Sequence, residues 1–323
     1  MRRATRGGVG AAIVGAGLAV LCMAAGVLAG SLYDGLASGP GCAGACDAPA
    51  VAAEAFTPAP AGPSPTPEPT LPPDPEGFPY VSARSIAVVE ASCGATLYGR
   101  REHDRMPPAS LTKLMTAAVA IEQGSLDQMI TSDVSGVQLL DETGSTIMGV
   151  EPGMTLSLRD LLYGLLLPSG NDAAIVIARG VAGSEAAFTT LMNEKAASLA
   201  LDDSHFTNAH GLYEPGLESS AHDMAILARY IMQNPELRRI VSTIEWRPAW
   251  DGPSVWNGNR LITEYEGADG VKIGYTEESQ QTIVASAVRD GRRLIVSAMR
   301  SLDRYQDATR LFDWAFAQPS PCP

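Results

Sequence analysis

Thr282-Ile283-Val284-Ala285-Ser286-Ala287-Val288, Arg289-Asp290-Gly291-Arg292 and Arg293-Leu294-Ile295-Val296-Ser297-Ala298-Met299 together decide the fold class. Two apolar runs rich in β-branched residues flank an Asp-Gly pair, the strongest short-range signal for a β-hairpin. Just upstream, Gly270-Val271-Lys272-Ile273-Gly274-Tyr275 reads as another short strand. Far toward the N-terminus, Ser85-Ile86-Ala87-Val88-Val89-Glu90, a turn at Ser92-Cys93-Gly94-Ala95, and Thr96-Leu97-Tyr98 form a second hairpin pattern. Five antiparallel strands therefore come from both ends of one domain. Between them the period changes to that of a helix. Leu111, Leu114, Met115, Ala118 and Val119 recur at three- and four-residue intervals, predicting a helix that begins near Ser110 after Pro107-Pro108. Further helices are predicted over 158–167, 172–179, 185–199, 221–233 and 305–317. The pattern is α+β, a sheet covered by helices with a helical insert between its early and late strands, and it has no internal repeat.

The domain so defined spans 80–318, with 319–323 as a short tail. Ahead of it, residues 1–8 carry Arg2, Arg3 and Arg6, and residues 9–29 are almost entirely apolar. About 20 such residues suffice to cross a bilayer, and the basic flank orients the span with its N-terminus inside. The reading favours an uncleaved anchor, although Val27-Leu28-Ala29 also fits a cleavage site. Residues 30–79 form a Pro/Ala-rich linker, a semi-rigid spacer that holds the domain off the membrane on the cell-wall side. A formal net charge of −13 and the lack of a basic stripe argue against nucleic acid as a partner. Export permits disulfides among Cys42, Cys46, Cys93 and Cys322, but spacing does not fix the pairing. The four histidines do not combine with cysteines at zinc-ligand spacing, so neither a metal nor a cofactor is expected.

The chain has only three lysines, while arginine supplies every other basic side chain. Two of the three lie where serine acylation needs an amine: Lys113 in Ser110-Leu111-Thr112-Lys113, and Lys272 in Lys272-Ile273-Gly274. Arginine does not surrender its proton, whereas a buried ammonium beside other cations does, and the resulting amine is a base for a hydroxyl. Ser110 and Lys113 share one helix face. Taken singly, each element has an ordinary explanation. Ser110 with Lys113 fits a helix cap with a solvated lysine, Ser169-Gly170-Asn171 fits a turn and cap, and Lys272 fits a charged sheet edge. Their joint occurrence in this order is far more specific.

That joint pattern resembles the penicillin-recognising serine acyltransferases, whose signature is S-x-x-K, S-x-N and K-T-G. It is most similar to the low-molecular-mass penicillin-binding proteins that act as D-alanyl-D-alanine carboxypeptidases. The matching segments are Pro108-Ala109-Ser110-Leu111-Thr112-Lys113-Leu114-Met115-Thr116, Ser169-Gly170-Asn171-Asp172-Ala173, Asn208-Ala209-His210-Gly211-Leu212 and Gly270-Val271-Lys272-Ile273-Gly274-Tyr275-Thr276. The resemblance implies a β-lactamase/transpeptidase-like fold with a five-stranded antiparallel sheet and a helical subdomain. It also implies peptidoglycan stem peptides as substrates and β-lactams as inhibitors. By the same token Ser110 would be the nucleophile, Lys113 its base and Ser169 a proton relay to the leaving amine. Asn171 would hold the substrate amide, and Lys272 its terminal carboxylate, with help from Arg304. The amides of Ser110 and Tyr275 would form the oxyanion hole, which Gly274 leaves uncrowded. One departure stands out: Ile273 occupies the usual threonine position and removes a hydroxyl expected to bind the carboxylate. Two alternatives follow, a β-lactamase and a weakly catalytic penicillin-binding or wall-sensing protein. A Ser110–His210–Asp223 triad is a remoter reading.

Overall fold

A computed structural model describes residues 73–249 and 252–323. The predicted anchor at 9–29, most of the linker, and Cys22, Cys42 and Cys46 lie outside the described residues. In chain order the elements begin with strands β1 (Ser85–Glu90) and β2 (Thr96–Arg100), then helix α1 (Thr112–Gln123), which a 3₁₀ turn at Ala109–Leu111 precedes. The helical region holds α2 (Gly136–Thr143), α3 (Leu158–Leu166), α4 (Asn171–Ala182), α5 (Glu185–Ser198), α6 (Ala221–Gln233) and α7 (Pro235–Ser242). Two small ribbons accompany it, β3 (Met129–Thr131) with β4 (Thr155–Ser157), and β5 (Glu245–Trp246) with β6 (Val255–Trp256). The chain closes with α8 (Leu261–Glu264), β7 (Ala268–Thr276), β8 (Gln280–Arg289), β9 (Arg292–Ser301) and α9 (Arg304–Ala317).

The main sheet has five strands in the order β2-β1-β9-β8-β7, and every neighbouring pair is antiparallel. β1 pairs with β9, from Ser85 opposite Met299 to Glu90 opposite Leu294, so the two ends of the domain meet in one sheet. The β8–β9 hairpin turns where expected: Asp290 and Gly291 have φ of 51° and 77°, both in the left-handed region that a two-residue hairpin turn requires.

Period-two alternation sends side chains of one strand into two separate cores. Ile86, Val88, Ile283, Ala285 and Val296 pack under α9 with Leu311 and Phe312. Ala87, Val89, Val284, Ile295 and Met299 face the helical region with α1 and α6. This explains strand sequences that read as unbroken apolar runs: neither face meets water. α1 is enclosed along most of its length, with every residue from Thr112 to Ala120 buried. Its N-terminus therefore delivers Ser110 and Lys113 to the junction between sheet and helical region.

Serines start several surrounding helices. Ser135, Ser157, Ser184 and Ser220 each accept a hydrogen bond from the amide three residues on, which replaces a missing intrahelical partner. Both ends of the described chain are tied back. Phe78, which the sequence assigns to the linker, packs against Tyr98 and Trp314, and Asp74 accepts from Tyr98 and Arg100. Cys322 in the short tail forms a disulfide with Cys93 in the β1–β2 turn. Among the described residues, no single helix is long and apolar enough to cross a membrane.

Candidate active site

A cavity of about 680 Å³ lies between β7, the start of α1, the start of α4 and the 210–212 loop. Seven of the eight residues singled out from sequence line it: Ser110, Ser169, Asn171, Lys272, Gly274, Tyr275 and Arg304. The eighth, Lys113, is completely buried beneath Ser110.

Lys113 Nζ has three oxygen neighbours. It lies 2.9 Å from Ser110 Oγ, 2.6 Å from Asn171 Oδ1 and 2.6 Å from the His210 carbonyl oxygen. The two carbonyl-type oxygens can only accept, so they take two N–H bonds. A neutral amine then has its lone pair left for the third neighbour, the hydroxyl of Ser110. Burial holds the Lys113 pKa well below that of an ordinary lysine, and the positive charge of Lys272 adds to the effect, while Asp172 opposes it. Lys272 is itself pushed down to about 7, by burial first and by Arg304 second. Three basic side chains thus form a series in which each cation weakens the proton's hold on the next.

The backbone around the serines is under strain. Ala109 and Ser169 have φ of 51° and 70°, a region that costs a residue with a Cβ on the order of 1 kcal/mol or more. Ala109 presents Ser110 from the 3₁₀ turn. Gly211, at φ 90°, lets the 208–212 loop press against that turn: a Cβ there would lie 2.0 Å from the Ala109 carbonyl oxygen. This contact fixes the loop whose His210 carbonyl receives Lys113. On the far wall, Asn171 opens α4 and Asp172 follows it, completely buried. Asp172 accepts from the amides of Met148, Gly149, Val150 and Ala173, which bolts the 146–150 loop to the head of α4. Thr146 Oγ1 in turn donates to the Ser169 carbonyl at 2.8 Å. Ser169 Oγ is left buried with no hydrogen-bond partner among the described residues. An unpaired buried hydroxyl is costly, and this one belongs to a residue that lines the cavity next to Asn171.

β7 is one of the two edge strands of the sheet, so one of its edges is free of strand partners within the sheet. Gly274 passes closest to the serine: a Cβ there would sit 2.6 Å from Thr282 Oγ1 and 2.9 Å from the Ser110 amide nitrogen. Only glycine brings the strand this near. Arg304, at the first position of α9, donates to the Gly274 carbonyl at 2.7 Å and to Gln281 Oε1 at 3.1 Å, which anchors it along the cavity wall. Ile273 also lines the cavity and packs toward the α9-side core.

His210 does not form a triad. Burial, and then Lys113, drive its pKa down to about 3, and its Nδ1 accepts from the Leu212 amide at 3.1 Å. Asp223 instead accepts from the Asp203 amide and Ser204 Oγ. Sequence reasoning missed Thr143, Ser145, Thr146 and Glu277, which also line the cavity. Thr143 ends α2, Ser145 and Thr146 lie in the segment that follows it, and none of the three carries a periodic signal.

A buried lysine touching a serine hydroxyl, beside a second serine, an asparagine and a lysine-bearing edge strand, is an arrangement able to support acyl transfer to a serine with an amine as base. The sequence matches the Peptidase S11 family, described as D-alanyl-D-alanine carboxypeptidase, over residues 73–302, and the chain belongs to that family. It is 35% identical over 255 residues to D-alanyl-D-alanine carboxypeptidase DacB2 of Mycobacterium tuberculosis, covering 76% of this chain and 84% of that protein. It is also 35% identical over 244 residues to DacF of Bacillus subtilis, covering 73% of this chain but only 62% of the relative's length. The chain thus spans about three fifths of that longer protein. Among solved structures, a Mycobacterium tuberculosis D-alanyl-D-alanine carboxypeptidase superposes with a TM-score of 0.72 at 33% identity, over 77% of this chain and 98% of that one. A Streptomyces DD-transpeptidase gives 0.71 at 28% identity, over 74% and 99%. The five-stranded antiparallel sheet with flanking helices is the fold of these DD-peptidases.

Proposed function

We propose that the chain removes the terminal D-alanine from peptidoglycan stem peptides through an acyl-enzyme on Ser110. The observation that carries this reading is the set of three oxygens around Lys113, which leaves its lone pair for the Ser110 proton. Lys113 takes that proton as Ser110 Oγ attacks the carbonyl between the two D-alanines. The amides of Ser110 and Tyr275 receive the developing oxyanion, an arrangement in which each donor is worth about 3 kcal/mol of barrier. Ser169 passes a proton to the leaving amine, D-alanine departs, and water hydrolyses the ester. Asn171 holds both Lys113 and the substrate amide. Lys272 and Arg304 receive the terminal carboxylate. Without the threonine hydroxyl at position 273, that carboxylate lacks one charged hydrogen bond, worth roughly 1.5 to 3 kcal/mol. Penicillin occupies the same site and leaves a slowly hydrolysed acyl group on Ser110. Tethering through 9–29 and the Pro-rich spacer places the domain outside the cell membrane, facing the wall.

Incubation with a labelled penicillin and, separately, with a peptide ending in D-Ala-D-Ala tests the reading. Labelling at Ser110 together with D-alanine release supports it. Rapid loss of label with little peptide turnover would indicate a β-lactamase, and persistent label with no release a sensor.

A further inference from the structure

Three neutral oxygens hold the Arg304 guanidinium, and none of them takes its charge. Nε donates to Gln281 Oε1 at 3.1 Å, and Nη1 donates to the carbonyls of Gly274 at 2.7 Å and Thr282 at 3.3 Å. Among the described residues no carboxylate forms an ion pair with it. Asp303 is next in the chain, but it caps α9 by accepting from the Gln306 amide. Of the three acceptors, only Gln281 uses its side chain. We propose that Gln281 is a positioning residue, whose carboxamide aims Arg304 at the substrate carboxylate without neutralising it. The inference rests on the D-alanine-releasing reading above, in which Arg304 helps to receive that carboxylate.

The place of Gln281 follows from β8. Ile283, Ala285 and Ala287 point to the α9 side of the sheet, and Gln281 comes two residues before them, where that apolar stripe gives out near the start of α9. Both ends of its side chain are used. Oε1 accepts from the Arg304 amide at 3.3 Å as well as from Nε, while Nε2 donates to the Leu302 carbonyl at 2.9 Å. These partners fix which end is oxygen, since Arg304 can only donate and a carbonyl can only accept. Gln281 does not line the cavity, so it acts from behind Arg304. Arg304 Nη2 makes no bond to a described residue, which leaves its N–H groups for a ligand. A carboxamide satisfies an N–H and leaves the cation whole. A carboxylate at 281 would pair with the guanidinium and weaken its pull on a second carboxylate. The charged and titratable groups around Arg304 are Lys272, Arg260, Asp303 and Tyr305.

Two acyl-D-Ala-D-Ala substrates, a free acid and its C-terminal amide, test the assignment through kcat/KM for release of D-alanine or D-alaninamide by the full chain. The wild-type protein should prefer the free acid. The amide offers Arg304 no charge, so general damage to the fold divides out of the ratio. Gln281→Glu keeps the shape and the acceptor but adds a counter-charge, and should cut the preference about tenfold, the lower end for a hydrogen bond to a charged group. Gln281→Met removes the acceptor but leaves the charge, and should cut it only about threefold, the scale of an ordinary hydrogen bond. In Gln281→Glu the alkaline fall of kcat/KM should also move to higher pH, because the cation that weakens the hold of Lys272 on its proton is neutralised. A purely structural role predicts the reverse order, with the isosteric glutamate the milder change. That order, or an unchanged preference in both variants, overturns the inference alone. Equal wild-type release from acid and amide removes the carboxylate from Arg304 and the inference with it. No D-alanine from the free acid overturns the underlying reading as well.

Discussion

At the N-terminal end of α1, Lys113 lies among two carbonyl oxygens and a hydroxyl, with no carboxylate bonded to it among the described residues. At the other end of the same helix, Glu122 takes Lys195 at 2.6 Å, and Tyr230 joins the pair. Burial lowers the proton affinity of Lys195 too, but the bonds to Glu122 and Tyr230 more than reverse this, and its pKa is raised. One helix thus carries an amine deprived of counter-charge at one end and, at the other, the carboxylate that pairs with the ammonium of Lys195 on α5. Burial alone does not make a base: what separates the two is the carboxylate, and the cations around Lys113 act in its place with the opposite sign.

The largest effect should follow from damage to the uncompensated end. Lys113→Ala should cut D-alanine release and penicillin labelling of Ser110 by about a thousandfold or more, the scale of general-base catalysis, while circular dichroism stays that of a folded domain. Lys113→Arg should not rescue it, since guanidinium does not deprotonate. Gly274→Ala comes next. Its Cβ would sit 2.9 Å from the Ser110 amide, displacing a donor of the oxyanion hole, and acylation should fall on the order of a hundredfold. Ile273→Thr should act in the other direction and raise D-alanine release about tenfold by restoring a charged hydrogen bond. At the compensated end, Glu122→Gln should leave turnover alone and cost about 1 kcal/mol of stability, read as a lower Tm.

The pH response contrasts the same two ends. Lys272 binds its proton with a pKa of about 7 when folded, against an ordinary lysine value of 10.5 when unfolded. Between these values the unfolded chain holds the extra proton, so this lysine makes folding stability rise with pH across that window and penalises the fold fully below it. Activity should move oppositely: kcat/KM should fall above about pH 7 as Lys272 loses the charge that receives the carboxylate. Lys272→Met should remove both trends, whereas Lys195→Met should affect neither.

The sheet was legible because its inner strands β1, β8 and β9 are buried through most of their length, and β8 and β9 meet in a turn with its own chemistry at Asp290-Gly291. The long core helices were legible for a similar reason. Their apolar positions keep a steady period, and in α1 that period ran directly up to Ser110 and Lys113. α2 and α7 were not read, each being only eight residues long. Pro235 opens α7 at its first turn, where a proline is harmless, so it gave no sign that a helix followed. The catalytic candidates were legible as residue types whose scarcity or spacing demanded an explanation. The 143–146 segment and Glu277 were not, because residues at a helix end or in a loop acquire meaning only from what folding sets across from them. The Cys93–Cys322 pairing, one of the alternatives the spacing left open, needed the turn and the tail placed side by side.

Since the chain has three lysines, isotope labelling of their side chains yields a spectrum of three amine signals that can be titrated directly. The account predicts that in the folded protein Lys113 gives up its proton well below the ordinary lysine value, Lys272 titrates near 7 and Lys195 keeps its proton beyond the ordinary lysine value. Three signals that all titrate above pH 10, as free lysines do, would contradict it.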